Sequence, residues 1–206
     1  MFQMGANHIF LIHFICYWTM VYLYDKNVQK KILYKSCLLS LKNQCIYTYP
    51  IINILFKYYP ISHNDLFLSF CYLPVLVVTG DIYFYITHRP LHTKLLFKYH
   101  KTHHKGFIHV AQSLDADGYE HVIGNLGSFL CGILLLQYLG YIIHIYVLGL
   151  WVGLATLNTC ISHSNLICYL DNGVHKQHHK SLKHNFGTGL YIVDRIMCSY
   201  KNTENN

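Results

Sequence analysis

The feature that most limits this chain is a series of apolar stretches, several long enough to cross a lipid bilayer. Residues 66–87, LFLSFCYLPVLVVTGDIYFYIT, carry a single charged side chain, Asp81. At about 1.5 Å per residue, a helix of that length spans a hydrocarbon core of roughly 30 Å. Two further runs, 122–139 and 141–162, are separated by Gly140 and read as a tight helical hairpin. Residues 8–24 form another span, although His8 and His13 interrupt it. Residues 45–59 are shorter, carry Pro50 and read as a marginal or interfacial span. Only 12% of residues are charged and 53% are hydrophobic, against about a quarter charged in soluble domains. The expectation is an all-α integral membrane protein, a bundle of four to five transmembrane helices with a helical cap on the cytosolic side. Residues 1–65 would supply N-terminal membrane segments, and 66–206 the remaining spans with the polar segments between them.

The basic residues give this bundle an orientation. Net charge is +7, but the lysines and arginines sit in short segments between apolar runs rather than on one polar face, which argues against nucleic acid as a partner. With the N-terminus outside and spans at 8–24, 45–59, 66–87, 122–139 and 141–162, fifteen of the sixteen basic residues fall inside, and only Lys57 falls outside. That is the positive-inside pattern. The run 8–24 has neither a basic stretch before it nor a small-residue cleavage site after it, so it reads as a span and not as a signal peptide. The eight cysteines include no C-x-x-C pair and read as reduced packing residues.

Histidine is the chemical signal. Sixteen are present, and the segments 88–121 and 163–184 hold three clusters: HRPLH (His88, His92), HKTHH (His100, His103, His104) and HKQHH (His175, His178, His179), with His163 standing alone in ISHSN. On a helix, positions i, i+3 and i+4 share a face, so each cluster aims two or three imidazoles at one region. Nine nitrogen ligands exceed what a four-coordinate zinc takes and suit two metals of higher coordination number. Imidazole serves zinc, copper, iron and nickel alike, so spacing leaves the metal open. Two metals with nitrogen ligands at a membrane point to redox chemistry on a lipid. The lone His8, His13, His63, His109 and His144 read as structural or interfacial. Asp81 lies two helical turns before His88 and is placed to accept a ligand's second N–H.

From Asp81 to Tyr200 the motifs resemble, in order and spacing, the fatty acid hydroxylase/sterol desaturase superfamily of integral-membrane, histidine-box di-iron oxidoreductases. DIYFYITHRPLH is similar to the first box, YHKTHHKG to the second, and GVHKQHHKSLKHNFGTGLYIVDRIMCSY to the third with its N-[YF]-G element and closing W-D-R-x-x-G-[TS]-Y. The resemblance implies metal-ligand roles for His88, His92, His100, His103, His104, His163, His175, His178 and His179, with His121 and His184 as further candidates and 66–206 as the catalytic domain. It implies two iron ions, or zinc in their place, O2 as co-substrate, a sterol or fatty acyl substrate that is hydroxylated or desaturated in lipid biosynthesis, and an external electron donor such as cytochrome b5 or a reductase. An endoplasmic-reticulum-type membrane with the boxes on the cytosolic side goes with that reading. The alternative is a non-catalytic metal-binding membrane protein that keeps the fold. Three positions depart from the pattern. Pro90 disfavours helical geometry at Arg89, so His88 is expected to end one helix and His92 to begin another. Val193 replaces the usual Trp, and Cys198 the usual Gly.

Overall fold

Apolar runs bounded by Gly, Pro and polar turns become helices because a helix satisfies its backbone hydrogen bonds within one segment. The computed structural model describes residues 4–62, 66–106, 108–164, 166 and 173–202. Within them the elements are α1 (Ala6–Tyr24), α2 (Lys30–Asn43), a π-helical turn (Gln44–Thr48), α3 (Tyr49–Tyr58), α4 (Leu66–Phe70), α5 (Leu73–Leu91) and α6 (Phe97–His100). A 3-10 turn (Val110–Leu114), α7 (Gly118–Glu120), a second π-helical turn (His121–Leu126), α8 (Gly127–Tyr138), α9 (Ile145–Ser162), α10 (Val174–Ser181) and α11 (Ile192–Ile196) follow. The only β-type pairing among the described residues is an isolated bridge between Ser62 and His144.

Four stretches are long and apolar enough to cross a membrane: Ala6–Tyr24, Leu66–Leu91, Gly118–Tyr138 and Ile145–Ser162. The marginal run at 45–59 is not among them. It is the second half of a continuous helical stretch, Lys30 to Tyr58, that joins the two ends of the bundle. At one end the Asp25 carboxylate accepts from the backbone N–H groups of Val110 (2.8 Å) and Ala111 (2.7 Å). At the other, the Ile145 N–H donates to the Ser62 carbonyl and the Ser62 N–H to the Ile143 carbonyl, forming the bridge to His144. Pro50 sits in the first turn of α3, where its missing N–H is tolerated, and the backbone widens to a π turn just before it. From Ser36 to Thr48 the buried side of this stretch is polar (Ser36, Ser40, Asn43, Gln44, Thr48), while α3 buries Ile52 and Leu55 in the apolar core, so hydropathy hides the place of its first part in the bundle.

The helices pack as two pairs. Helix α5 lies along α8, with Gly132 so close to Leu76 that a Cβ there would come within 3.1 Å of the Leu76 Cα; small residues allow such approach in the absence of a hydrophobic drive between helices. Helix α1 lies along α9. The chain reverses between α8 and α9 at Gly140, whose φ of +84° only glycine adopts readily. The hairpin is open rather than tight. Trp151 of α9 reaches Phe129 of α8, donating Nε1–H to its carbonyl at 3.1 Å, and a cavity of about 440 Å³ extends between the pairs.

Helix α5 also corrects the reading of Pro90. The helix runs through Pro90 to Leu91, with His92 as its C-cap. The proline lies in the last turn, where its missing N–H removes a single backbone bond and only Leu91 follows it in the helix, so His88 and His92 stay on one helical face. The seven cysteines among the described residues are free thiols; Cys168 lies outside them, as does His63.

Candidate metal centre

Nine imidazoles meet at one end of the bundle and sort into two groups. His88, His92, His100, His104 and His178 bring one nitrogen each to within 4.8 Å of one another, and His103, His163, His175 and His179 do the same. The triplets therefore divide between the groups. His100 and His104, four residues apart, enter the first, while His103 turns to the second. Reciprocally, His175 and His179 enter the second, while His178 turns to the first. Residues i and i+4 lie nearly one above the other, whereas i+3 lies to the other side of the line between them. Each triplet thus bridges two sites, against the simpler reading of one triplet to one metal. His163 caps the C-terminal end of α9 and completes the second group from a separate helix.

Hydrogen bonds on the outer nitrogens fix which way the inner ones face. His88 Nδ1 donates to the Phe186 carbonyl (2.7 Å), His178 Nδ1 to the His184 carbonyl (2.7 Å) and His163 Nδ1 to the Thr159 carbonyl (3.0 Å). His100 Nδ1 lies 2.7 Å from Glu120 Oε1. With Nδ1 protonated, the Nε2 of each ring carries a lone pair. Yet Nε2 of His88 and Nε2 of His100 lie 2.9 Å apart, with His104 Nε2 2.8 Å from His100 and His92 Nε2 3.2 Å from His88. In the second group His163 Nε2 lies 3.1 Å from His103 Nε2 and 3.3 Å from His175 Nε2. The Nε2 of His178 is buried with no hydrogen-bond partner. Between His88 and His100, both held through Nδ1, the facing lone pairs repel unless a cation lies between them.

A proton does not serve as that cation. Burial, and then the neighbouring imidazoles, hold His92 down at about 3 and His100 at about 2. His103, His104, His175 and His179 are held well below the ordinary histidine value by the same two causes. Burial lowers His163 and His178 to about 4. Metal ions fit the donors. With metal–nitrogen bonds of about 2.0–2.1 Å, ligands at right angles are about 2.9 Å apart, the spacing seen here. Neutral imidazole with its second N–H anchored is also the form that binds a metal.

The remaining candidates stand apart. His121 lies outside both groups, its Nε2 2.9 Å from Thr48 Oγ1. His184 contributes its backbone carbonyl to His178 rather than a ring nitrogen to either group. Asp81 does not reach a histidine. Its carboxylate accepts from the backbone N–H groups of Thr188 (3.1 Å), Tyr191 (3.0 Å) and Ile192 (2.8 Å), because seven residues of helix place it about 10 Å from His88 along the axis. Asp194 accepts from Phe186 N and Gly187 N at 2.9 and 2.6 Å. Asp194 thus fixes the Asn185–Gly187 turn whose Phe186 carbonyl orients His88, and Asp81 fixes the Thr188–Ile192 segment that follows it. Among the structural histidines, His13 bonds Thr156, His109 bonds Ser36, and His144 caps α9.

Glu120 is the functional candidate that motif spacing alone misses. It is buried, and it is the one described carboxylate touching the nine imidazoles. Its signal in the sequence is a carboxylate beside His121 at the start of an apolar span. The cavity between the helix pairs meets the centre at Glu120, His100, His103, His163 and His175 and continues along Leu126, Leu130 and Trp151.

The family model for fatty acid hydroxylase matches residues 73–199. A fatty acid hydroxylase of Mycosarcoma maydis is 32% identical over 129 residues, covering 62% of this chain and 33% of that protein. A protein of Arabidopsis thaliana named as a Delta(7)-sterol-C5(6)-desaturase is 31% identical over 155 residues, 69% of this chain and 52% of that protein. The chain thus spans about a third and about half of these relatives' lengths. No solved structure matches it. With the matched region spanning α5 to α11 and holding all nine clustered histidines, the chain belongs to the fatty acid hydroxylase family.

Proposed function

We propose that this chain is a membrane-bound, O2-dependent di-iron oxidoreductase that hydroxylates or desaturates a lipid, sterol or fatty acyl, in lipid biosynthesis. The observation that carries the reading is the pair of inward-facing imidazole groups at the mouth of a largely apolar cavity. His88, His92, His100, His104 and His178 would hold one metal, and His103, His163, His175 and His179 the other. Two irons held there would supply O2 activation for attack on an unactivated C–H bond. Hydroxylation places one oxygen atom in the product and reduces the other to water with two electrons and two protons; desaturation takes two hydrogens from the substrate, and with the same two electrons and two protons both oxygen atoms leave as water.

The protein's own part is positional. Phe186, His184, Thr159 and Glu120 hold ring nitrogens through Nδ1, so the centre needs little reorganisation on loading. The apolar wall of Leu126, Leu130 and Trp151 holds hydrocarbon against the centre and keeps water out. Electrons would come from a partner such as cytochrome b5 or a reductase, and Lys101, Lys105, Lys176 and Lys180 beside the histidine clusters offer it a basic face. The charge pattern favours a cytosolic location for that face in an endoplasmic-reticulum-type membrane.

The test is metal content with lipid analysis. Purified protein is expected to hold about two irons per chain, and a host lipid is expected to change on expression and revert with His103→Ala. One zinc per chain with unaltered lipids would leave a non-catalytic metal-binding protein instead.

A further inference from the structure

We infer that the outer face of α2 binds the headgroups of anionic phospholipids. This face lies outside the matched family region, and its reading needs only the membrane-spanning fold, not the reaction assigned to the metal centre.

From residue 26 to residue 64 the sequence holds no Asp or Glu, and five of its six lysines, Lys26, Lys30, Lys31, Lys35 and Lys42, lie on or beside α2. All five are exposed. Among the described residues none of them has a carboxylate within ion-pair distance. Asp25 and Asp115, which border the helix, are engaged on its inner side: Asp25 accepts from Val110 N and Ala111 N, and Asp115 from Ser36 Oγ at 2.6 Å. The positive charge is therefore open to an external partner.

The arrangement names the kind of partner. Lys31, Lys35, Leu38 and Lys42 follow one another at steps of four, three and four, so they form one stripe along the helix. Ile32, Tyr34 and Leu41 flank that stripe, and all three are exposed. The inner face is the polar one, with Ser36, Ser40 and Asn43 bonded to the 110–116 segment. A helix whose outer face met water alone would show the reverse distribution.

Depth follows from the helix itself. From Lys42 to Lys57 the helical stretch rises about 22 Å, carries no charge in between and exposes Ile46 and Ile54. Lysines at both ends reach outward along their stems, which extends that length to the roughly 30 Å of a hydrocarbon core. Lys42 then stands at the headgroup boundary. Lys35 and Lys31 lie at most about 10 and 16 Å further out, within a lysine stem and a Debye length of the headgroups. A lipid fits both parts of the face: its phosphate meets the ammonium groups, and its upper acyl chain meets Leu38 and Leu41. An acidic protein would meet the lysines but not the apolar side chains at acyl depth. Clusters of roughly four to eight basic residues beside a membrane-spanning helix are the pattern that attracts anionic lipid.

The test measures lipid preference. Full-length protein in detergent micelles is offered phosphatidylserine and phosphatidylcholine with the same acyl chains at equal concentration, and bound lipid is read by native mass spectrometry. Phosphatidylserine is expected to be retained at least about tenfold over phosphatidylcholine, each lysine near the surface being worth roughly fivefold. The combined change Lys31→Gln, Lys35→Gln and Lys42→Gln is expected to lower that ratio at least about fivefold, and arginine at the same three positions to keep it. None of the three side chains forms an ion pair or hydrogen bond among the described residues, and an unchanged melting temperature shows that the variants are folded. Lys101→Gln with Lys105→Gln, on the face beside the histidine clusters, is expected to leave the ratio as it is. Equal retention of the two lipids, an unaltered ratio in the triple glutamine variant, or the same fall in the Lys101→Gln, Lys105→Gln variant overturns the inference. An unaltered ratio joined to lost binding of cytochrome b5 also overturns it and gives the face to an acidic protein.

Discussion

Glu120 Oε1 lies 2.7 Å from His100 Nδ1, a carboxylate-to-imidazole bond joining α7 to the end of α6. The other anchored rings of the two groups, His88, His178 and His163, donate to neutral carbonyls. The five-histidine group therefore has a carboxyl neighbour among its described contacts. Glu120→Gln keeps an oxygen acceptor in place and removes the charge, so it separates electrostatics from positioning. Loss of an outer partner of this kind typically weakens metal binding about 10–100-fold. Competition with a chelator is expected to show that weakening at one of two metals per chain, with helix content unaltered. Equal affinity in the variant would show that Glu120 acts by shape alone.

Acid should release the centre and destabilise the metal-free protein together. Burial holds His92 down at about 3 and His163 and His178 at about 4, below the ordinary 6.5. The unfolded chain takes up protons at about pH 6.5 that the folded chain refuses, so the stabilisation is complete above that pH and is lost as pH falls toward 4. Each such group contributes a slope of up to about 1.4 kcal/mol per pH unit in that window. Melting temperature measured from pH 8 to pH 5 is expected to be flat at first and then fall steeply below pH 6.5. A flat profile throughout would mean that the rings are hydrated and not buried.

The Asn185–Gly187 turn positions one histidine of the centre, through the Phe186 carbonyl on His88 Nδ1. A Cβ on Gly187 would lie 2.9 Å from Asp194 Oδ2 and 3.1 Å from Asp81 Oδ1, and both carboxylates are held in place by backbone donors. Gly187→Ala must therefore displace the turn, and with it the Phe186 carbonyl that orients His88. The expected result is destabilisation by about 1–3 kcal/mol, in the range for overpacked sites, with loss of metal. Denaturant unfolding and metal analysis of the same sample check both parts.

How far the sequence discloses this arrangement depends on the range of the contact. The i, i+4 pairs His88–His92, His100–His104 and His175–His179 follow from helical spacing, and four of the spans from run length. The division of each triplet between two groups depends on how α6 and α10 face each other, a tertiary fact. Asp81 shares a face with His88, but periodicity does not reveal that a loop about 110 residues away captures its carboxylate. The part from Lys30 to Thr48 is concealed for a different reason: its buried face is polar because it bonds to the chain, as in Asn43 Nδ2 donating to the Leu114 carbonyl at 2.9 Å.

Cys198, which stands where related motifs carry glycine, occupies left-handed backbone at φ +53°. A side chain in that region costs about 1–2 kcal/mol, which glycine avoids. Cys198 is exposed, so the strain is not offset by packing of its thiol. Cys198→Gly is expected to raise stability by about 1 kcal/mol, seen as a higher melting temperature with unchanged metal content.

The stretch from Lys30 to Tyr58 lies outside the matched family region yet braces the second histidine cluster. Asn43 Nδ2 donates to the carbonyls of Leu114 and Ala116, and Ser40 and Tyr17 bond the Ala111 carbonyl. From that segment Gln112 Nε2 reaches back to the carbonyls of His103 and Lys105. The chain of contacts runs from α2, through the 110–116 segment, to the turn that carries His103. Asn43→Leu is close in volume but takes one donor from the Ala116 carbonyl and one from the Leu114 carbonyl, which keeps the Ala116 N–H, at about 1–3 kcal/mol in all. It should therefore lower stability and loosen the metal group containing His103, although Asn43 touches no histidine of the centre. Chelator competition is expected to show the four-histidine group weakened before the five-histidine group. The reverse order would mean that the brace acts through another path.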